Sequence, residues 1–264
     1  MKSKGYQKYL KKIKQEQILI ILSQISLLIF LIILWQKLVD FEIINSFITS
    51  SPKNVLKTII DLYSNNHLIH HILITIYETI ISFSLGTFLG IIIAIFLWYN
   101  HFIAKVIDPY LTIINSLPKV SLGPILIIWV GANIKSIIVM SLLISLIITI
   151  ITVYNGFITT DKNKIKLLKS FGATKKQLLK NLIIPSNYEV IISSLKINIS
   201  MSLIGVIMGE LLVSKEGIGY LIMYGSQVFN LDLVITGIII LMLLSYIMYL
   251  LISYLEKILV RNKN

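Results

Sequence analysis

The sequence predicts an all-α, polytopic membrane protein with six transmembrane helices, and three observations carry this prediction. The chain of 264 residues is 56% hydrophobic and only 14% charged, a composition typical of proteins whose solvent is mostly lipid. It contains apolar runs long enough to cross a hydrocarbon core, which takes roughly 20 residues of helix. Its lysines gather in short segments that flank those runs, as in proteins whose orientation is set by basic loops.

The apolar runs place the six spans along the chain. They predict transmembrane helices at residues 18–35, 72–98, 104–130, 136–157, 188–213 and 233–255. The first run is longer than the apolar region of a signal peptide, and no small-residue cleavage site follows it, so we expect a retained anchor. The third run contains Pro109, Pro118 and Pro124, which predict a broken helix whose loosened backbone lies inside protein.

Basic residues assign each loop to a side of the membrane. Clusters of lysine and arginine precede the first span, fill the loop between the fourth and fifth spans and follow the last span. With six spans all three clusters fall on one side, which the positive-inside rule makes the cytoplasm. The expected organisation is a basic cytoplasmic N-terminus (1–17), an anchor helix (18–35), an external segment (36–71), a core (72–258) and a cytoplasmic tail (259–264). Ser51 followed by Pro52 predicts the start of an amphipathic helix in the external segment.

The loop between the fourth and fifth spans, residues 161–185, is called the basic segment below. An aspartate at its first position is placed to cap a short helix, and Gly172 stands where a left-handed residue commonly ends one. Thr174 and Gln177 have the spacing of a capping box, which predicts a second short helix. Pro185 is expected to end that helix. We predict two short amphipathic helices that meet at a glycine and need a partner surface.

The basic segment resembles the cytoplasmic loop of ABC importer permeases, usually written EAA, three residues, G, nine residues, I, one residue, LP. Gly172 and Pro185 match that motif in register. The two aliphatic positions are present with isoleucine and leucine interchanged. The position of the family's glutamate is Lys166, so a contact made by that glutamate does not carry over to this chain.

Four further blocks resemble, in the same order, permeases that import nitrate, sulfonates, taurine and related compounds. That branch also includes permeases for vitamin precursors such as thiamine pyrimidines and riboflavin. The blocks are SPKNVL at Ser51, DPYLTIINSLP at Asp108, GPILIIWVGANIKSI at Gly123 and GELLVSKEGIGYLI at Gly209. The chain is identified as a member of the ABC importer permeases, and the resemblance implies their type I fold.

The resemblance also implies partners. The basic segment would insert into a cleft of a separate ATP-binding subunit, and the chain has no G-x-x-x-x-G-K-[ST] phosphate loop of its own. The residues expected at this coupling site are Lys166, Phe171, Gly172, Ala173, Thr174, Lys175, Gln177, Leu178, Leu179 and Pro185. An extracellular or periplasmic substrate-binding protein, the lipid bilayer and a second copy in a homodimer are further expected partners. The competing interpretation of the segment is an ordinary solvated loop.

Polar residues inside the apolar runs are candidates for the translocation path because burying them is costly. The possible pathway-lining residues are Asn115, Ser116, Lys119, Lys196, Asn198 and Ser202. A structural role is expected for Pro118, Pro124, Trp129, Gly131, Glu210, Gly217 and Gly219. Glu78 is a further charge inside a predicted span. Structural ion pairs are the favoured explanation of the charged residues, and hydrogen bonds between helices compete for the others.

Composition and motifs argue against other classes of protein. The absence of cysteine excludes disulfides and thiolate chemistry. The net charge of +12 could suggest nucleic acid, but lysines that flank apolar runs are typical of contact with lipid headgroups, and we expect no nucleic-acid partner. His67, His70 and His71 form a cluster without cysteine, which favours polar interfacial residues over a metal site.

We therefore expect no catalytic site, metal or cofactor, and the chain is not expected to be an enzyme. The alternatives are a secondary transporter, which would be expected to show inverted repeats, and a membrane scaffold. Within the spans only Lys119 and Lys196 are basic candidates for an anion. This slightly favours an organic heterocycle over nitrate or sulfonate as the solute. The identity of the solute stays open at this point.

Overall fold

The computed structural model of the chain describes residues 4–65 and 67–261. Its helices are α1 Lys4–Asp40, α2 Ser46–Thr49, α3 Pro52–Ser64, α4 His67–Tyr99, α5 His101–Ser116, α6 Gly123–Val130, α7 Ile134–Ile158, α8 Lys162–Ser170, α9 Lys175–Leu178, α10 Ile184–Ser186, α11 Tyr188–Val213, α12 Ile218–Gln227 and α13 Leu231–Arg261. A 3₁₀ turn spans Lys119–Leu122 and a π turn spans Leu179–Ile183. Within these ranges the chain forms helices and loops alone, so the predicted all-α class is confirmed.

Five of these helices, α1, α4, α7, α11 and α13, are long and apolar enough to cross a membrane. The remaining predicted span, the third along the chain, is a bent pair in which α5 and the α6 region meet at 92°. Pro118 lies at this bend and has no N–H with which to continue α5. Pro124 occupies the first turn of α6, where a missing N–H is tolerated. The prediction of a broken third span is confirmed, whereas Pro109 stays inside α5.

The centre of the bundle is formed by α4, α7 and α11, which pack closely through small residues. A β-carbon at Gly86 of α4 would lie 2.6 Å from Oγ of Ser145 in α7. A β-carbon at Gly205 of α11 would strike the backbone of Ser141, also in α7. Because helices in lipid associate through packing and hydrogen bonds, such small residues fix the distances between the three central helices.

The first helix, α1, stands at the edge of the bundle. It begins at Lys4, inside the predicted basic N-terminus, and is therefore longer than the anchor predicted at 18–35. Its apolar side chains are exposed over most of its length. Near its other end it contacts α3, where the amide of Lys53 donates a hydrogen bond to Oε1 of Gln36 over 3.2 Å.

The predicted amphipathic helix is α3. Ser51 caps it by accepting a hydrogen bond from the amide of Asn54 over 3.1 Å. Its buried face, which includes Val55, packs against α13 and α4. The side chain of Asn54 also donates to Oδ1 of Asp232 at the start of α13 over 3.3 Å. Thus α3 is tied to the bundle on one face and exposes apolar residues on the other.

The helix α12 was not among the predicted elements. It occupies residues 218–227, within the loop expected between the last two spans, and packs against α13 and α11. Ile218 and Leu221 are its buried contacts. Ten residues are too few to span a membrane, so a search for long apolar runs cannot find this helix.

Candidate functional site

The first half of the basic segment is a capped helix that ends at a glycine. The side chain of Asp161 accepts a hydrogen bond from a backbone amide in the first turn of α8. At the other end Gly172 has φ +77°, a conformation that glycine adopts without a steric penalty. The amide of Gly172 donates to the carbonyl of Lys169, and that of Ala173 donates to the carbonyl of Leu168. These two hydrogen bonds form the Schellman motif, which satisfies carbonyls at the end of a helix.

The second half of the basic segment starts with the predicted capping box. The amide of Thr174 donates to Oε1 of Gln177 over 2.8 Å, and the amide of Gln177 donates to Oγ1 of Thr174 over 3.3 Å. Both orphan amides at the start of α9 are thereby satisfied. The bend between α8 and α9 is therefore built from local hydrogen bonds on each side of Gly172.

The prediction that Pro185 ends the second helix is wrong. The helical chain continues from α9 through the π turn into α10, which includes Pro185 and ends at Ser186. In the π turn the amide of Ile184 donates to the carbonyl of Leu179, five residues earlier. This extra residue places Pro185 in the first turn of α10, where its missing N–H is tolerated.

The apolar face of the second half is buried in the protein itself. Leu178 is 2% exposed, and Ile183 packs into a cluster with Val153 and Phe157 of α7. Leu179 is half-buried against the same cluster. Leu178 and Leu179 were predicted as contacts of an ATP-binding subunit. Leu178 is buried and Leu179 is half-buried against the bundle, so a contact of either side chain with that subunit stays a prediction. They anchor the basic segment to the bundle.

A different set of side chains points away from the bundle. Phe171, next to the bend, is 77% exposed and Leu167 is 56% exposed. We call the exposed side chains of this region, Lys166, Leu167, Phe171, Thr174 and Gln177, the exposed face of the basic segment. Ala173 beside them is half-buried. An exposed phenylalanine on a rigid bend next to lysines is a surface suited to a protein partner.

Lys175 is exposed but is engaged with the bundle. Its ammonium group lies 3.4 Å from the carbonyl oxygen of Tyr99 and 5.6 Å from the centre of that ring. Tyr99 is the last residue of α4, so Lys175 ties the basic segment to the end of this span.

Two buried residues close the base of the basic segment. The side-chain amide of Asn187 donates to Oγ1 of Thr160 over 2.7 Å and to the carbonyl of Ile183 over 2.8 Å. Thr160 follows α7 and Asn187 precedes α11. The hydrogen bond therefore joins the two spans from which the basic segment emerges. No motif in the sequence marked either residue.

The charge at Lys196 has a partner within the bundle. Its ammonium group forms an ion pair with the carboxylate of Glu256 in α13, which also accepts a hydrogen bond from Ser193 over 3.2 Å. The same ammonium group lies 5.8 Å from the ring centre of Tyr249. The contact is an ion pair between two helices, the structural role that was favoured for Lys196 over contact with the solute. No sequence pattern marked Glu256, which lies at the end of the last apolar run.

Asn198 and Ser202 lie between helices and not beside an open space. The side-chain amide of Asn198 donates to Oγ1 of Thr87 in α4 over 2.5 Å. The carbonyl of Ser202 accepts a hydrogen bond from Oγ of Ser141 in α7 over 2.9 Å. Both side chains are almost inaccessible. This arrangement supports the competing explanation that these residues join helices, and their part in a pathway stays a prediction.

The remaining pathway candidates cluster at the bend between α5 and α6. Asn115 and Ser116 are exposed, and the ammonium group of half-buried Lys119 donates to the backbone carbonyl of Asn115. At the far end of α6, Trp129 is 78% exposed and Gly131 has φ +92°. The bent span thus presents both polar and aromatic side chains on its surface.

A second buried network surrounds the turn Gly217–Gly219, called the glycine turn below. The carboxylate of Glu210 is 1% exposed and accepts hydrogen bonds from Oγ1 of Thr75 over 2.7 Å and from the amide of Gly219 over 2.6 Å. Oγ1 of Thr75 accepts from the amide of Ile218, and Nδ1 of His71 accepts from the amide of Gly217, each over 2.9 Å. Helix α4 thereby holds the turn that follows α11. The network contains Glu210, Gly217 and Gly219 of the predicted structural set, His71 of the histidine cluster, and Thr75, which no sequence pattern marked.

The glycines of this turn are required by its geometry. Gly217 has φ +97° and lies directly against the carboxylate of Glu210. A β-carbon at Gly219 would lie 2.7 Å from Cβ of Glu210. A side chain at either position would displace the buried carboxylate.

Glu78 extends this network from α4. It lies three residues after Thr75, which donates to Glu210. Glu78 is 2% exposed, and no group of the described chain forms a hydrogen bond with its Oε2. It lines a cavity of about 470 Å³ between α4, α7 and residues 213–216.

The histidine cluster makes polar contacts near this cavity. Nε2 of His70 lies 3.4 Å from Oε1 of Glu216, while His71 accepts a hydrogen bond from the glycine turn. No group of three histidine, aspartate or glutamate side chains is arranged for a metal ion in the residues that the structure describes.

Comparison with known proteins gives several related permeases. The chain is 29% identical over 226 residues to a probable ABC transporter permease protein of Haemophilus influenzae, covering 85% of this chain and 91% of the relative. It is 29% identical to the formylaminopyrimidine transport permease protein ThiX of Halalkalibacterium halodurans, covering 81% and 85% of the two chains. It is 24% identical to the putative aliphatic sulfonates transport permease protein SsuC of Bacillus subtilis, covering 89% and 85%.

Solved structures share the fold. A bacterial ABC transporter involved in the import of the acidic polysaccharide alginate has a chain that matches with a TM-score of 0.64 at 14% identity, covering 95% of this chain and 98% of that one. A chain of the MetNI methionine ABC transporter in an inward-facing conformation matches with a TM-score of 0.59 at 18% identity, covering 74% and 96%. The predicted ABC importer permease fold is confirmed.

Residues 86–261 match the model of one protein family. They make up most of the chain and include the bent span, the basic segment and the glycine turn. The relatives are membrane subunits of transporters and not enzymes, and an inner membrane component with several apolar helices is a multi-pass protein of the cell membrane. Such permeases work with an ATPase and a substrate-binding protein. The chain belongs to the family of binding-protein-dependent transport system inner membrane components, the permease subunits of ABC importers.

Proposed function

We propose that this chain forms half of the translocation pathway for a small solute and that the basic segment couples this pathway to an ATP-binding subunit. The observation that carries the proposal is Phe171, a large apolar side chain that is 77% exposed on a bend fixed by hydrogen bonds on both sides. Covering such a side chain contributes about 1.5–3 kcal/mol. The cleft of an ATPase is the partner surface that the family provides.

The buried side of the basic segment explains how movement would pass into the membrane. Leu178 and Ile183 fix it to the bundle, and Asn187 joins its base to Thr160. A displacement of the exposed face is therefore passed to α7 and α11 as a movement of packed elements, since a close-packed core does not deform freely. Closure of the ATP-binding subunits would thereby open or close the pathway by alternating access.

Topology and assembly follow from the same arrangement. The basic segment faces the cytoplasm together with both termini, as the positive-inside rule predicts, and the glycine turn faces outwards to a substrate-binding protein. A second copy of the chain completes the pathway. The bend between α5 and α6 supports this, because its irregular backbone, near the exposed Leu117 and Val120, is tolerated at membrane depth only when protein or a water-filled cavity covers it.

The solute is proposed to be an organic molecule with a heterocyclic ring and not a small anion. Relatives are named for aliphatic sulfonates and for formylaminopyrimidine. Lys196 is paired with Glu256, and Lys119 bonds to the backbone carbonyl of Asn115 in α5. Of the two basic candidates, Lys119 alone is therefore without a carboxylate partner among the described residues, which gives an anion little positive charge to meet. Because relatives are named for both kinds of solute, a sulfonate is the competing class.

Purification of the assembled transporter tests the proposal. We expect the ATP-binding subunit to co-purify with the wild-type chain and to be lost on Phe171→Asp, which places a charge on the exposed face. Phe102→Asp is the matched control, because Phe102 is also 77% exposed, lies outside the basic segment and starts α5. If the ATPase never co-purifies, or both variants retain it equally with unchanged solute uptake, the proposed coupling is wrong.

A further inference from the structure

The cavity beside the glycine turn has the size of a site for a small organic molecule. Its volume of about 470 Å³ lies within the roughly 300–1,000 Å³ typical of small-molecule sites. Helix α4 contributes Ile74, Tyr77 and Glu78, and the start of α7 with the loop before it contributes Ala132 and Ile137. Most of the wall is therefore apolar, with one buried carboxyl group.

Glu78 lines this wall, and one oxygen of its side chain lacks a hydrogen-bond donor. Its side chain is 2% exposed, and Oε2 has no hydrogen-bond partner among the described residues. Buried acceptors without a donor are rare because each costs the free energy of its lost hydration. The cavity that Glu78 lines has room for a molecule that supplies this donor.

The other polar groups around the cavity give it an acidic character. Glu216 and Lys215 line the cavity beside Glu78, together with Asn133 and Ser214. Two carboxyl groups and one ammonium group therefore line the space. A sulfonate or a nitrate has only acceptor oxygens and cannot supply the donor that Oε2 of Glu78 lacks, which disfavours anions.

We propose that this cavity is a solute subsite for a planar nitrogen heterocycle with an exocyclic amino group, which donates a hydrogen bond to Glu78. Acidic side chains accept in this way from the amino group of cytosine. Tyr77, whose ring is 59% exposed on α4, supplies an aromatic surface for the heterocycle. The inference rests on the proposed import function and narrows its class of solute.

Binding to the assembled transporter tests this subsite. The permease and its co-purifying ATPase are placed in lipid nanodiscs, and saturation-transfer NMR measures binding of 4-amino-2-methylpyrimidine and, separately, of methanesulfonate. We expect the pyrimidine to bind and Glu78→Leu to raise its Kd at least about tenfold, as for loss of a buried hydrogen bond. Ala132→Trp, which fills the cavity from an exposed position, should weaken binding similarly. Asp61→Asn, an exposed carboxylate on α3, should leave the Kd unchanged.

The outcomes separate the subsite from the proposed function. If the ATPase co-purifies and hydrolyses ATP but the pyrimidine does not bind, or if Glu78→Leu and Ala132→Trp both keep the wild-type Kd, the subsite is refuted while the transporter stands. Binding of methanesulfonate that Ala132→Trp abolishes also refutes it. If Glu78→Leu fails to assemble, as judged by gel filtration, Ala132→Trp decides alone. Failure of the ATPase to co-purify contradicts the proposed function instead.

Discussion

Asn187 at the start of α11 donates a hydrogen bond to Thr160 at the end of α7, and both side chains are buried. The two residues are the points at which the basic segment leaves and re-enters the bundle. The bond joins α7 to α11 at the base of the basic segment. The exposed face is therefore attached to both spans, which are held together.

Replacing Asn187 by leucine should uncouple the basic segment from the bundle. The change removes two hydrogen bonds and leaves the buried hydroxyl of Thr160 without its donor, which costs about 1–3 kcal/mol; the carbonyl of Ile183 keeps the bond from the backbone amide of residue 187. We expect a lower melting temperature of the purified permease and solute uptake that falls more than ATP hydrolysis does. Asn181→Leu is the control, because Asn181 is exposed in the same segment. Equal effects of the two variants would count against the closed base.

Leu178 and Leu167 should respond differently to truncation. Leu178→Ala removes buried atoms and is expected to destabilise the permease by about 2–5 kcal/mol. Leu167→Ala alters a side chain that is 56% exposed and should change the stability by less than about 0.5 kcal/mol. Thermal unfolding of the two variants in detergent measures this difference. A stable Leu178→Ala variant would mean that the buried side of the segment is not an anchor.

The ion pair of Lys196 and Glu256 should behave as a structural unit. Lys196→Met leaves the carboxylate of Glu256 without its ammonium partner and should lower the melting temperature. Adding Glu256→Met removes the unpaired charge, so the double variant should be at least as stable as either single variant. The KM for solute uptake should stay unchanged throughout. A selective rise of this KM in Lys196→Met, at unchanged stability, would instead show a residue of the pathway.

Two glycines with positive φ should differ in their tolerance of asparagine. Gly172 has open space around it, and asparagine adopts the left-handed conformation more readily than most residues. Gly172→Asn should therefore leave the yield of folded permease near the wild-type level. Gly217→Asn places a side chain against the carboxylate of Glu210 and should markedly reduce the yield of folded permease in gel filtration. Similar yields for the two variants would contradict the packing of the glycine turn.

Much of the fold was predictable from the sequence because the lipid bilayer restricts which structures a chain can adopt. Long apolar runs located the spans, the prolines located the bend at Pro118, and local capping signals located the turn at Gly172. The termini of helices were less predictable, since α4 begins at His67 and the helical chain passes through Pro185. These boundaries depend on packing and on a π turn that no residue pattern marked.

The functional residues were likewise predictable only in part. Residues whose role depends on local geometry, such as Thr174 and Gln177, were found from their spacing. For Leu178, helical periodicity identified an apolar face but not the residues of the bundle that cover it. The partners Glu256 and Thr75 belong to other helices, 60 and 135 residues away from Lys196 and Glu210. Such pairings are set by how helices pack, and one sequence without its structure does not show them.

The most direct test of the coupling account is a cross-link from the exposed face. The chain contains no cysteine, so Phe171→Cys introduces a single thiol, and a thiol-reactive benzophenone attached there can be photolysed in the purified transporter. The account predicts a cross-link to the ATP-binding subunit from Phe171→Cys and none from Phe102→Cys, which is equally exposed outside the basic segment. A transporter that contains the ATPase but gives no cross-link from Phe171→Cys, or equal cross-links from both positions, would contradict the central claim.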